Sequence, residues 1–160
     1  MKKLVILFAL ILSPIATLQA DDTEKGKVSA VLDQLHQAAS DADWKTYFNL
    51  YTENSTFLGT DVSERWDKAT FQKYAGQSNG WTYHLRERNI DLTPDGNSAW
   101  FDEVLDSEKY GTSRGTGVLI RTNEGWKITQ YHLTFPLPND LAAGITQQIQ
   151  SFEKKQKRGE

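Results

Sequence analysis

The chain has 160 residues, a net charge of −3 and no cysteine, which excludes a disulfide framework and lipid attachment through a cysteine. An acidic chain has no electrostatic footprint for nucleic acid, so no nucleic-acid partner is expected. Five Trp, six Tyr and seven Phe supply the bulk for one hydrophobic core, and the length suits a single domain.

Residues 1–20 differ in kind from the rest. Lys2 and Lys3 precede an unbroken apolar run from Leu4 to Leu12, Pro14 breaks it, and Leu18-Gln19-Ala20 ends in a small residue. This is the pattern of a signal peptide cleaved after Ala20. The run is too short to cross a bilayer of about 30 Å as a helix, so the expected location is periplasmic or secreted, without a stable membrane anchor. The remaining chain has sixteen basic and twenty-one acidic residues, a net charge of −5. It divides into a domain over 21–152 and a flexible C-terminal tail over 153–160.

From Glu24 to Ala42 apolar residues recur at Val28, Val31, Leu32, Leu35, Ala38 and Ala39, the spacing of a helix with one buried face. Asp41 or Asp43 caps a short second helix carrying Trp44, Tyr47, Phe48 and Tyr51. Ser55 to Leu58 is a short strand, and a third helix fits Asp67 to Ala75. Trp81 to Leu92, rich in aromatic and β-branched residues, then opens a run of strands. Thr93-Pro94-Asp95-Gly96-Asn97 is a turn, Ser98 to Leu105 and Ser113 to Thr122 are strands, and Asn123-Glu124-Gly125 turns into Trp126 to Phe135. Strands joined by short turns are antiparallel. Pro136 and Pro138 end the last of them, and a helix from Asn139 carries Leu141, Ile145, Ile149 and Phe152 on one stripe.

Helices first, an antiparallel meander next and a closing helix last predict an α+β domain. The expected form is a cone-shaped curved antiparallel sheet with the N-terminal helices packed over its concave face, and a ligand cavity at the wide end. The strings DADWKTYFNLY, ENSTFLGTDVSERW, TPDGNSAWFDE and RGTGVLIRTNEGWKITQYH, spread over roughly residues 26–135, resemble the SnoaL-like family of the nuclear transport factor 2-like superfamily. The resemblance implies a conical fold, commonly dimeric through the outer sheet face. It implies no single activity, because members include isomerases, dehydratases, cyclases and proteins that only bind. Aligned through LYTENSTFLG, the ketosteroid isomerase branch would place its general base at Gly59 and its oxyanion-stabilising tyrosine at Leu35. Neither side chain moves a proton or donates to an enolate, so that activity is not expected.

Gly111-Thr112-Ser113-Arg114-Gly115 matches a nucleophile elbow in letters only, since a strand follows where a helix is required. His36, His84 and His132 lack ligand spacing, and no thiolate accompanies them, so neither a metal nor a cofactor is expected. Asp91, Asp95 and Asn97 suit a capped hairpin turn better than a calcium loop. Strand parity gives the main site expectation. Trp100, Asp102 and Val104 alternate with Phe101, Glu103 and Leu105. If the faces of Trp100 and Trp126 both turn inward, the cavity receives Trp100, Asp102, Arg114, Gln130 and His132. The candidate ligand-binding residues are therefore Asp61, Trp66, Trp100, Asp102, Arg114 and His132, with Asp61 and Trp66 at the rim.

The expected function is binding of an unidentified small molecule by an exported protein, with no catalytic residue evident. One alternative is a lyase or isomerase using His132 with Asp102 or Asp61. Another is an interaction module. A homodimer is expected through an outer face of Phe101, Leu119, Tyr131, Leu133 and Phe135, unless the C-terminal helix stripe covers that face.

Overall fold

The computed structural model describes residues 15–159. The apolar run Leu4 to Leu12 lies outside them, and among the described residues no helix is long and apolar enough to cross a membrane. Four helices and six strands follow in the order α1 (Ile15–Ser40), α2 (Trp44–Asn49), β1 (Tyr51–Leu58), β2 (Arg65–Asp67), α3 (Lys68–Ala75), β3 (His84–Leu92), β4 (Ser98–Ser107), β5 (Gly111–Thr122), β6 (Gly125–Thr134) and α4 (Asn139–Arg158). The first helix thus begins upstream of Glu24 and runs across the expected cleavage bond. The last continues past Phe152 to Arg158, through residues expected as a tail.

One mixed sheet has the strand order β2-β1-β6-β5-β4-β3. The meander β3 to β6 is antiparallel throughout, whereas β1 lies parallel to β6. That pair has α3 and four strands between its members, the long connection that parallel pairing needs. The sheet is curved and unclosed, and α1, α2 and α3 pack on its concave face. Val28, Leu32, Leu35 and Ala39 form the buried stripe of α1, and they meet Ala99, Phe101, Leu119, Trp126 and Ile128 of the sheet in one core. Each of the large apolar side chains contributes about 1.5–3 kcal/mol by leaving water. Asp43 caps α2 by accepting from Thr46 N (3.1 Å) and Asp67 caps α3 by accepting from Thr70 N (2.8 Å), each satisfying an amide that the helix leaves unpaired.

The inner face is not the one that parity predicted for β4. Ala99, Phe101, Glu103 and Leu105 are buried, and Trp100 is 48% exposed. On β6, Trp126 and Ile128 do point inward, but the ladder with β5 shifts register between Leu119↔Ile128 and Val118↔Gln130. This bulge adds a residue, so Tyr131 takes the inner side and His132 the outer. Asp102, Thr116 and His132 consequently sit in one row, on the convex face. The apolar patch expected outside is inside: Phe101, Leu119 and Tyr131 are buried in the core, and Leu133 and Phe135 line the cavity.

Candidate functional site

At the wide end of the sheet the helices and strands enclose a cavity of about 650 Å³. Its walls mix aromatic rings with polar side chains, Thr60, Glu64, Asn79, Glu108 and Lys109 among them. Phe57 stacks on Phe71 at 3.9 Å between centroids, Trp66 lies 5.9 Å from Phe57 in a near-parallel arrangement, and Tyr110 stacks on Phe135 at 4.8 Å. Trp81 enters from the loop before β3, where Gly80 takes a left-handed conformation (φ +100°) so close to α1 that a Cβ would lie 2.8 Å from the Ala39 carbonyl oxygen. Only glycine adopts that turn without strain.

Polar groups converge where the cavity meets the core. His36 of α1 lines the wall, 14% exposed, and its Nε2 lies 2.8 Å from Glu103 Oε1. Glu103 is wholly buried. Its Oε1 also accepts from the Tyr131 hydroxyl (2.9 Å), and its Oε2 accepts from Arg88 Nε (2.9 Å). Arg88, 4% exposed, spends Nη1 on Asp33 (2.7 Å) and on the Ser29 carbonyl and hydroxyl. Its Nη2 sits 2.9 Å from Glu103 Oε2 but out of line for a hydrogen bond, and it is the one buried side-chain polar atom without a partner among the described residues. Register explains the meeting: Arg88 opposes Glu103 across β3 and β4, and Glu103 opposes Gly115 across β4 and β5. A Cβ on Gly115 would collide with the Tyr131 hydroxyl and lie 2.8 Å from Glu103 Oε1, so the glycine makes the space in which the carboxylate is held.

Burial pushes the Glu103 carboxyl upward, but the His36 bond, the charges of His36 and Arg88 and the Tyr131 bond outweigh it and hold the group below its ordinary range. Glu103 is therefore an anion at neutral pH. Burial, reinforced by the nearby Glu103 charge, drives Tyr131 well above the usual phenol value. Tyr47 rises through burial too, against its bond to Tyr51 (3.2 Å), and burial pushes Tyr83 up to about 12. All three phenols line the cavity as neutral groups.

Of the six residues singled out from the sequence, Trp66 alone lines this cavity. Asp61 stands in the exposed turn between β1 and β2, accepting from Ser63 N (2.8 Å) and Ser63 Oγ (2.5 Å), and those bonds hold its carboxyl low. Trp100, Asp102, Arg114 and His132 share a face, but it is the outer one. Asp102 accepts from Asn89 (3.3 Å), and Arg114 opposes Val104 and Thr134 without reaching Asp102. Ser113 of the elbow-like string is buried inside β5. Leu35 and Gly59, the positions aligned with the isomerase tyrosine and base, do line the cavity. His36, Arg88, Glu103 and Tyr131 were not singled out. Their signal was a charge in the middle of an apolar alternation, Phe101-Glu103-Leu105 and Arg88-Ile90-Leu92 on neighbouring strands.

Among the described residues no group of His, Asp and Glu side chains is arranged to hold a metal ion. A model described as the SnoaL-like domain matches residues 28–138, and no curated protein matches the sequence. Similar solved structures include an NTF2-like protein of unknown function from Pseudomonas putida KT2440, 14% identical over 76% of this chain and 90% of that one, with a TM-score of 0.61. A provisionally assigned dehydratase of the NTF2-like family from Streptomyces avermitilis is 15% identical over 74% and 99%, with a TM-score of 0.62. A provisionally assigned scytalone dehydratase from Novosphingobium aromaticivorans DSM 12444 is 10% identical over 75% and 89%, with a TM-score of 0.64. At such identities the likeness is one of fold. The family match over most of the chain makes the chain a member of the SnoaL-like domain family, with the α+β fold of NTF2-like proteins.

Proposed function

We propose that the protein binds a small, flat molecule bearing both ring and polar groups in this cavity. The observation that carries this reading is the cavity itself: about 650 Å³, with aromatic faces of Phe57, Trp66 and Trp81 among polar side chains such as Glu64, Asn79 and Lys109. Small-molecule sites are usually concave pockets that join apolar walls to convergent polar groups, and faces of Phe57, Trp66 and Trp81 suit stacking on a planar ligand. Provisional dehydratase and aromatic ring hydroxylase assignments among proteins of this fold are compatible with cyclic ligands.

Tryptophan fluorescence tests it, because Trp66 and Trp81 line the cavity while Trp100 faces outward. Titration with 2-naphthol should quench the emission saturably. Trp100→Phe should keep the quenching, and Trp66→Phe with Trp81→Phe should abolish most of it. Unsaturable quenching, or quenching insensitive to the cavity tryptophans, would refute the reading.

Export with cleavage after Ala20 and self-association through the outer sheet face belong to the same proposal. The charged start, apolar run and small residue at Ala20 support the first. The second is supported by half-exposed Trp100 with Val104, Val118 and Ile120 on that face, a different set from the residues expected there. Intact-mass measurement on the exported protein and light scattering at micromolar concentration decide them. An uncleaved Met1 start and a monomer mass are the adverse results.

A further inference from the structure

We propose that α4 is a membrane-surface helix, which docks the domain peripherally on a bilayer rich in anionic phospholipid. The inference is independent of the cavity and of any molecule in it.

α4 leaves the sheet after Pro136 and Pro138, and its twenty residues span about 30 Å. None of them is buried. A lone helix of this length is marginal in water unless one of its faces packs. α4 also carries Gly144 and the β-branched Ile145, Thr146 and Ile149, and no side chain caps its start, so its own residues favour the helix only weakly. It has a face to pack. At about 100° per residue, Leu141, Ile145, Ile149 and Phe152 fall within about 80° of one another around the axis. Leu141 is 57%, Ile149 47% and Phe152 63% exposed. A single exposed leucine needs no explanation, but a line of large apolar side chains along one helix does.

Charge selects the surface that this stripe fits. Residues 21–138 carry twelve basic and eighteen acidic side chains, whereas α4 carries four basic and two acidic. The four cations stand together at 154–158. Lys154, Lys157 and Arg158 project from the side opposite the stripe, and Lys155 flanks it. None of the four pairs with a carboxylate among the described residues. Cations in a last turn complement the helix dipole, but that accounts for the charge and not for the stripe beside it. An apolar stripe with cations opposite and beside it is the pattern of a helix lying in a membrane interface, its apolar side chains among acyl chains and its cations among headgroups. The helix lies on the bilayer rather than across it, since it is not apolar enough to span one. Repulsion between the acidic domain and the lipid is screened within about 8 Å at physiological salt, and the cations sit at the end of α4 distant from the domain.

A second copy of the chain fits α4 less well. Two such helices side by side would share fewer than the three or so heptads that a coiled coil needs, with Gln148 in the seam. On the outer sheet face the carboxylates already have partners: Glu87 and Asp102 accept from Asn89, Asp91 lies by Lys25 and Asp106 by Arg86. Free counter-charge for four cations is what an anionic bilayer supplies.

The chain has no cysteine, so Ile149→Cys in the full chain takes one nitrobenzoxadiazole label, which reports on α4 and not on the apolar run at Leu4 to Leu12. Vesicles of equal parts phosphatidylcholine and phosphatidylglycerol should shift its emission to the blue. Partition should be at least about tenfold stronger than to phosphatidylcholine alone and should weaken as salt rises. The same label at Lys154→Cys should stay in water and shift little. Joint replacement of Lys154, Lys155, Lys157 and Arg158 by Gln should remove the lipid preference, and Leu141→Ser with Phe152→Ser should weaken partition to both vesicles. These side chains are exposed, and an unchanged near-ultraviolet circular dichroism signal checks that the domain stays folded. An Ile149→Cys label silent to both vesicles, equal partition to both, or a preference that survives the Gln replacements overturns the proposal. A blue shift that grows with protein concentration without lipid assigns the stripe to a second copy and overturns it as well.

Discussion

Replacing Glu103 by Gln removes one charge and almost no volume from the most deeply buried polar position of the sheet. The side chain has no exposure, and Arg88, its counter-ion, is 4% exposed. Breaking a buried ion pair from one side costs about 3–5 kcal/mol, because the remaining charge stays uncompensated. Asp33 still lies 2.7 Å from Arg88 Nη1, but it is 62% exposed and so shields the guanidinium only partly, which places the loss near 3 kcal/mol. For a chain of this size that is a fall in Tm of about 10 °C. The pH dependence has a definite sign. The folded Glu103 carboxyl titrates below its ordinary value of 4.5, so its stabilisation is complete above about pH 4.5 and is lost as pH falls through the folded value. Urea unfolding of wild type and Glu103→Gln from pH 7 to 3 should show a gap that narrows in acid. Adding Arg88→Met should recover part of the loss, since the stranded charge is gone. A loss under about 1 kcal/mol at pH 7, or a gap that widens in acid, would refute the account of Glu103 as a buried, stabilised anion.

Gly115→Ala should destabilise by about 1–3 kcal/mol through overpacking, and Tyr131→Phe should recover part of this by removing the hydroxyl that the new methyl meets; thermal melts of the two variants and their combination check it. His132→Ala, on the outer face, should change stability by no more than about 0.5 kcal/mol and leave 2-naphthol quenching intact. Truncation after Pro138 should cost under about 1 kcal/mol, because α4 buries no residue and little apolar surface returns to water; a lost near-ultraviolet circular dichroism signal would contradict that. Asp67→Ala should cost about 1 kcal/mol by leaving the Thr70 amide of α3 uncapped, read from urea midpoints.

Local rules carried the sequence a long way. The stripe Val28-Leu32-Leu35-Ala39, the Asp43 cap, the Thr93–Asn97 turn and the Asn123–Gly125 turn each depend on neighbours within a few residues, and each element they predict is present. The short strand Arg65–Asp67 was not legible, since three residues carry no period of their own and form a strand only by pairing with β1. The candidate site was legible in its residue types and not in its location. Trp100-Asp102-Val104 and Phe101-Glu103-Leu105 are equally plausible inner faces by composition, and one wrong choice inverts the whole set.

What the sequence determined by itself was therefore the order of elements, the antiparallel meander, the family likeness and the presence of charges among apolar residues. Which face those charges occupy was decided by tertiary packing. The apolar stripe of α1 selects the Phe101 face of β4, and the bulge opposite Val118 and Leu119 turns His132 outward and Tyr131 inward. The parallel pairing of β1 with β6, and the convergence of His36, Arg88, Glu103 and Tyr131 from four separate elements, likewise depend on contacts distant in the chain. Strand periodicity repeats every two residues and is blind to an inserted one, so only the assembled ladder shows where the parity changes.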